Sequence, residues 1–277
     1  MKFIKPVFNF YLNSSIHVAL AAYALTWITI MEFDISYDEH LLYFVFFATI
    51  TGYNFVKFFG IAQFHHRSLT DRLKVIQIFS FFAFVALCYY GAQLQLKTLL
   101  VISVLGLITF LYAVPLIPKK IFIDPKKNLR AVGGLKIYLI AFVWTFTTVI
   151  LPLVNNDVFI TTDAIITCIQ RFLYTMVLML PFEIRDFNYD SIKLATIPQK
   201  IGIKKTKIIG VLLLMVFFFL DYFKDNLSGK SIMVMLIVTF ITLLFLVFSS
   251  KTQSRYYSAF WVESLPVIWL TILLMLR

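Results

Sequence analysis

The sequence predicts an all-α polytopic membrane protein, a bundle of nine transmembrane helices. Three observations predict it. Of the 277 residues, 61% are apolar and only 14% are charged. The mean hydropathy is +0.88, which lies outside the range of soluble domains. The apolar residues gather into nine runs of roughly 18–23 residues, the length that crosses a bilayer. Lys and Arg are concentrated in alternate connecting segments, as the positive-inside rule requires. An open sheet would leave backbone groups unsatisfied in lipid, so every run reads as a helix.

The runs follow in order. Residues 10–31 come after Lys2 and Lys5 and lack a small-residue cleavage site, so they read as a retained span. Residues 41–63 carry Asn54 and Lys57 near their end. Residues 73–92 and 96–117 form a pair with a short polar connection. Residues 136–154 start after the Gly133-Gly134 turn signal. Residues 161–182 contain Arg171 and lead into a charged segment. Residues 205–222, 231–249 and 258–276 complete the set, the last containing Glu263. One membrane domain, residues 1–277, accounts for the whole chain. Cys88 and Cys168 fall inside spans and are expected to be apolar packing residues, with no disulfide or metal signal.

Orientation follows from charge. With the N-terminus cytoplasmic, the outer side holds only Lys97, Lys224, Lys230 and Arg277 of the 25 Lys and Arg. Lys57 and Arg171 fall within spans and the others are cytoplasmic, which puts the C-terminus outside. The outer loops are acidic, with Glu32, Asp34, Asp38 and Glu39 in one and Asp157 and Asp163 in another. The net charge of +11 therefore reflects topology and anionic lipid rather than nucleic acid. A bacterial inner membrane is the simplest location.

Three cytoplasmic segments stand out: 64–72, 118–135 and 183–204. The third begins Glu183-Ile184-Arg185-Asp186-Phe187-Asn188-Tyr189-Asp190. On a helix, Glu183, Asp186 and Asp190 share one face. Such a face can hold a divalent metal through oxygen ligands, and the metal a phosphate ester. A solvated acidic loop is the plainer alternative. Asn54 and Lys57 share a face at the end of the second run. A lysine inside a span marks a functional site by default, although it also snorkels readily to an interface. Arg171, His17 and Glu263 are intramembrane polar residues that read first as structural. His65-His66 has poor ligand spacing.

The sixth-run motif continues as Thr196-Ile197-Pro198-Gln199-Lys200-Ile201-Gly202. Together these residues resemble the "R-D-x-x-x-D … T-x-P-x-x-x-G" signature of the UbiA-type intramembrane prenyltransferases. Tyr112-Ala113-Val114-Pro115, before a basic loop, is similar to that family too. So is the region from Gly134 to Trp144. The end of the second run is its counterpart, four spans earlier. There the family pattern is roughly N-D-x-x-D-x-x-x-D. Asn54 matches it, but the carboxylate positions hold Phe55, Phe58 and Ala62.

The resemblance implies ionisation of an isoprenoid diphosphate, with Mg²⁺ held by two acidic motifs. With the first motif lost, it implies one Mg²⁺ site, at Asp186 and Asp190 with Glu183 in support. Asp186, Asp190 and Lys57 are the candidate catalytic residues. Asn54, Arg185, Lys193, Lys200, Arg130 and Tyr112 are candidates to contact the substrate, with Lys119 and Lys120 as further phosphate contacts. Two functions remain open. One is binding, or prenyl transfer, of an isoprenoid diphosphate or related lipid phosphate. The other is a non-catalytic subunit that binds lipid or scaffolds a membrane-protein complex.

Overall fold

A computed structural model describes residues 4–64, 71–114, 134–188, 196–225 and 227–276. The helices are α1 (Ile4–Asn13), α2 (Ile16–Glu32), α3 (Glu39–Phe64), α4 (Asp71–Gly91), α5 (Leu96–Ala113) and α6 (Leu135–Thr145). They continue as α7 (Leu151–Asn155), α8 (Thr162–Arg185), α9 (Ile197–Ile201), α10 (Ile203–Phe219), α11 (Gly229–Val247) and α12 (Leu265–Leu276). Eight described helices or helix runs are long and apolar enough to cross a membrane, and the α1–α2 pair makes a ninth.

Each expected span is found, but three are not simple rods. The first is bent by 56° between α1 and α2. Ser15 lies at the bend with φ 64°, a left-handed conformation uncommon outside glycine. In the fifth span a π-helical turn, Phe146–Ile150, joins α6 to α7. A second π turn, Tyr257–Val262, precedes α12. Such turns widen the backbone locally and are frequent at functional sites.

Helix α8 is the central span. Of its most apolar stretch 61% is buried, against 11% for α4. It packs on α6, α10 and α11, while α2 bridges α3 and α12. The larger core is aromatic at its centre: Tyr174, Phe217 and Trp269 stand 5.1–5.8 Å apart between ring centroids. Stacked and edge-on rings at that spacing gain beyond simple burial. The outer faces of α4 and α5 are apolar and exposed (Phe81, Phe82, Leu100, Val104), as lipid-facing surfaces must be. Cys88 is exposed on this outer face of α4 and Cys168 is half-buried. Cys168 packs against Val149, Leu153 and Ala164, as an apolar packing residue does; Cys88 does not, because an apolar run does not reveal which of its faces meets lipid. Both thiols are unbridged.

Candidate functional site

The site grows from the bend between α1 and α2. Asn54 on α3 is buried beneath it. Its amide donates to the Ser14 carbonyl at 3.0 Å and to Ser80 Oγ at 2.8 Å. Its oxygen accepts from Ser15 Oγ at 2.8 Å. Both N–H groups are thereby used, so Asn54 locks the bend rather than presenting a donor to a ligand. Lys57, three residues on, donates to the same Ser15 Oγ at 2.8 Å. Its side chain remains exposed. The expected shared face of Asn54 and Lys57 is present, and the bend supplies the groups it meets.

The end of α8 contributes the second wall. The helix stops at Arg185, and Asp186–Asn188 form a single tighter turn. The continuous helical face expected for Glu183, Asp186 and Asp190 therefore ends before Asp186, and Asp190 lies outside the described residues. Glu183 is buried, and its Oε2 accepts the Ile197 N–H at 3.2 Å. That N–H opens α9, where a carboxylate suits the helix dipole. Asp186 takes Arg185 in a two-pronged grip, Nε to Oδ1 at 2.7 Å and Nη2 to Oδ2 at 2.9 Å. Arg185 Nη1 donates to Ser258 Oγ at 2.7 Å, reaching the second π turn.

The Thr196–Gly202 motif has a structural meaning. The Gln199 side chain accepts the Thr196 N–H at 3.1 Å. Pro198 sits in the first turn of α9, where its missing N–H costs nothing. Gly202 then takes φ +82° and ψ 156°, a region open to glycine, and links α9 to α10. Lys200 is exposed in α9. Lys193, Arg130, Lys119, Lys120 and His65-His66 lie outside the described residues, as does the side chain of Ala62.

Glu263 closes the site. It follows the π turn and carries accessible surface although protein surrounds it closely. Its electrostatic neighbours are Lys57 and Arg185, but its carboxylate makes no hydrogen bond or ion pair among the described residues. Tyr53, one turn deeper on α3, is also within its field. The Tyr53 hydroxyl accepts from Trp144 Nε1 at 3.0 Å, and Tyr112 is its buried neighbour. Through Ser15, His17, Phe260 and Ser258 the bend, the end of α3, the end of α8 and the last span are tied together here. His17 braces this junction. Its Nε2 donates to the Phe260 carbonyl at 2.8 Å, so Nδ1 accepts from Tyr11 at 2.6 Å. The sequence treated Glu263 as structural; the signal available was an acid in an apolar span, without its partners.

A separate cavity of about 580 Å³ opens at the opposite end, lined by Glu32, Asp163, Asp221 and Lys224 among others. Arg171 reaches it from α8. Its Nη1 donates to the mid-helix carbonyl of Leu25 at 2.7 Å and its Nη2 to Thr29 Oγ1 at 3.2 Å. Trp269 packs 5.5 Å from the guanidinium. Arg171 thus finds its partners in a carbonyl within α2 and in the hydroxyls of Thr29 and Thr148.

No protein-family model and no curated protein sequence matches this chain. Solved structures do. The apo structure of a UbiA homolog from Aeropyrum pernix K1 aligns with a TM-score of 0.64 at 11% identity, over 94% of this chain and 98% of that one. A structure of digeranylgeranylglyceryl phosphate synthase aligns with a TM-score of 0.57 at 14% identity, over 99% and 97%. The fold is that of UbiA.

Within the UbiA fold, the metal implied by the resemblance can be tested against the donors. Among the described residues no group of three or more His, Cys, Asp or Glu could hold a metal ion. Both Asp186 oxygens are engaged by Arg185. Phe55, at a carboxylate position of the UbiA pattern, stacks 6.1 Å from Phe110 on α5. The described donor set does not fit Mg²⁺. It supplies two side-chain cations instead.

Proposed function

We propose that this protein binds an isoprenoid diphosphate or a related lipid phosphate. The phosphate lies at Lys57 and Arg185, by the ends of α3 and α8, and the apolar tail runs toward Tyr53, Trp144 and Tyr112. One observation supports the reading: within a UbiA fold, the ends of α3 and α8 bring Lys57 to Ser15 and Arg185 to Ser258, on two elements that His17 joins through the Phe260 carbonyl. Tyr53 lies about 6 Å deeper along α3 than Lys57, the direction a tail would take. One solved relative is named for a lipid phosphate, digeranylgeranylglyceryl phosphate, which agrees with that ligand class.

Binding ranks ahead of prenyl transfer. A departing diphosphate gathers several negative charges, and catalysis needs them offset as they develop. Here Asp186 and Glu263 oppose Lys57 and Arg185. A single Mg²⁺ at Asp186 and Asp190 would have to displace Arg185 from Asp186. The second reading, a non-catalytic lipid-binding or scaffolding subunit of a membrane complex, is favoured by Phe55, which fills an expected acid position with a ring stack. The Lys and Arg distribution supports a cytoplasmic N-terminus and an outward C-terminus, in a bacterial inner membrane.

The test is photolabelling of the full chain with a diazirine-bearing isoprenoid diphosphate. Label on α3, α6 and α8, competed by unlabelled farnesyl diphosphate, is the expected result. Label confined to the lipid-facing surfaces of α4 and α5, without competition, rejects the reading. Diphosphate release from farnesyl diphosphate with Mg²⁺ and wild-type protein, abolished by Asp186→Asn, would put transfer ahead of binding.

A further inference from the structure

The cavity between the end of α2 and the start of α8 has no part in the lipid-phosphate reading, and its charges are sorted by depth. At about 580 Å³ it has the size of a small-molecule site. Arg171 lines it although only 1% of the residue is exposed. Nη1 spends both of its N–H groups, on the Leu25 carbonyl at 2.7 Å and on Thr148 Oγ1 at 3.3 Å. Nη2 spends one, on Thr29 Oγ1 at 3.2 Å. The Nε–H and the second Nη2 N–H have no acceptor among the described residues. A charge so buried is costly without a carboxylate, and the protein gives it only neutral oxygens. The mouth has the opposite sign. Lys224 is taken by Glu32 and Asp221, and Lys230 is not free either. Asp34, Asp163 and Asp225 also line the cavity, and none of the three is in an ion pair among the described residues. Asp163 accepts the Asp225 N–H at 3.2 Å, which holds two of them together. Asp163, Thr167 and Arg171 are spaced i, i+4, i+8 on one face of α8. The Asp163 and Arg171 backbones therefore stand about 12 Å apart along the helix. Side chains lean toward the start of their helix, so the guanidinium lies nearer the mouth than its backbone does.

We propose that this cavity is a second binding site, and that its ligand is a small amino-carboxylate zwitterion with an apolar middle. The carboxylate takes the two open N–H groups of Arg171, and the ammonium lies among Asp34, Asp163 and Asp225. The connecting carbons lie against Trp269, Val234 and Met235, which line the same cavity. Trp269 packs 5.5 Å from the guanidinium and holds its plane. Arginine then presents a planar fork suited to a carboxylate. An anion alone would pass three unpaired acids without recompense, and a cation alone would leave Arg171 as it is. A ligand that bears both charges answers both. The site stands apart from Lys57 and Arg185, and neither reading depends on the other.

The experiment is isothermal titration of the purified full chain in detergent at neutral pH with ε-aminocaproate, hexanoate and hexylamine, which share one carbon chain. The expected result is that ε-aminocaproate binds about tenfold or more tighter than either singly charged probe. Arg171→Met, a side chain of similar length, should erase that advantage and leave hexylamine the better ligand. Asp163→Asn combined with Asp225→Asn should do the reverse and leave hexanoate the better ligand. A damaged protein loses binding; it does not exchange one preference for the other. Equal binding of the three probes, an advantage of ε-aminocaproate that survives in both variants, or no binding of ε-aminocaproate overturns the proposal. So does displacement of ε-aminocaproate by farnesyl diphosphate, which would place the probe at Lys57 and Arg185.

Discussion

Arg171 shows how little a residue's identity says about its energetic role. It is 1% exposed, and no carboxylate lies within ion-pair distance among the described residues. Its acceptors have other partners: Thr29 Oγ1 donates to Leu25 O, and Thr148 Oγ1 to Trp144 O. Removing the guanidinium therefore orphans none of them, while its desolvation cost disappears. Arg171→Met is expected to change stability by less than about 1 kcal/mol or to raise it, whereas Arg171→Ala should cost about 2–4 kcal/mol through the cavity left behind. Thermal melting in micelles separates the two; a large loss in the Met variant would mean that the charge has a ligand. Asn54 is the contrary case. Asn54→Leu takes the Ser15 hydroxyl's acceptor and the Asn54 donor to the Ser14 carbonyl, while Ser80 keeps Ile76 and Ser15 keeps Lys57; it should cost about 1–3 kcal/mol by the same melt. Asn54 was readable as a motif residue. Its use as a lock was not, because the residues it holds lie about forty positions earlier and 26 positions later in the chain.

At the scale of elements, close approach decides which substitutions the bundle accepts. Gly210 on α10 faces Leu246 of α11 and Leu180 of α8. A Cβ there would stand 2.5 Å from Leu246 Cδ2 and 2.7 Å from Leu180 Cδ1. Both leucines are fully buried and must shift to make room. Gly210→Ala is expected to cost about 1–3 kcal/mol from overpacking; truncating Leu246 as well should restore part of the loss, and a simple sum of the two losses would place the clash elsewhere. The elements also show where periodicity misleads. The three acids after span six fit a helical face only if the helix continues, and it stops at Arg185. The chain marks that stop weakly, because Glu183-Ile184-Arg185-Asp186 contains no glycine or proline. The T-x-P-x-x-x-G segment was legible as a family motif; its capped start, its proline in the first turn and its glycine at positive φ came from the structure.

Across the whole molecule the two ends differ in charge logic. Beside the acidic cavity, Lys224 lies against Asp221 at 3.1 Å and against Glu32 from α2. Burial disfavours its charge, but Glu32 and Asp221 outweigh burial and raise its pKa above the ordinary 10.5. A raised lysine contributes stability that is complete below the unfolded value and is lost as pH climbs through the folded one. The protein should therefore lose stability progressively above about pH 10.5, and Lys224→Met should flatten that decline. An alkaline melting profile unchanged by the substitution would remove Lys224 from the account. At the other end Arg185 is gripped by Asp186 and bonded to Ser258, and Lys57 is bonded to Ser15 yet exposed.

Fold class and the count of spans were determined by the sequence alone, because bilayer thickness and the cost of unsatisfied backbone leave few alternatives for runs this long and apolar. Only the tertiary structure decided that Asn54 is a lock, that Lys57 meets Ser15 and that Arg185 reaches Ser258. These are pairings between residues tens of positions apart in the chain. Local periodicity carries no information about them; the packing of α2, α3, α8 and the last span does.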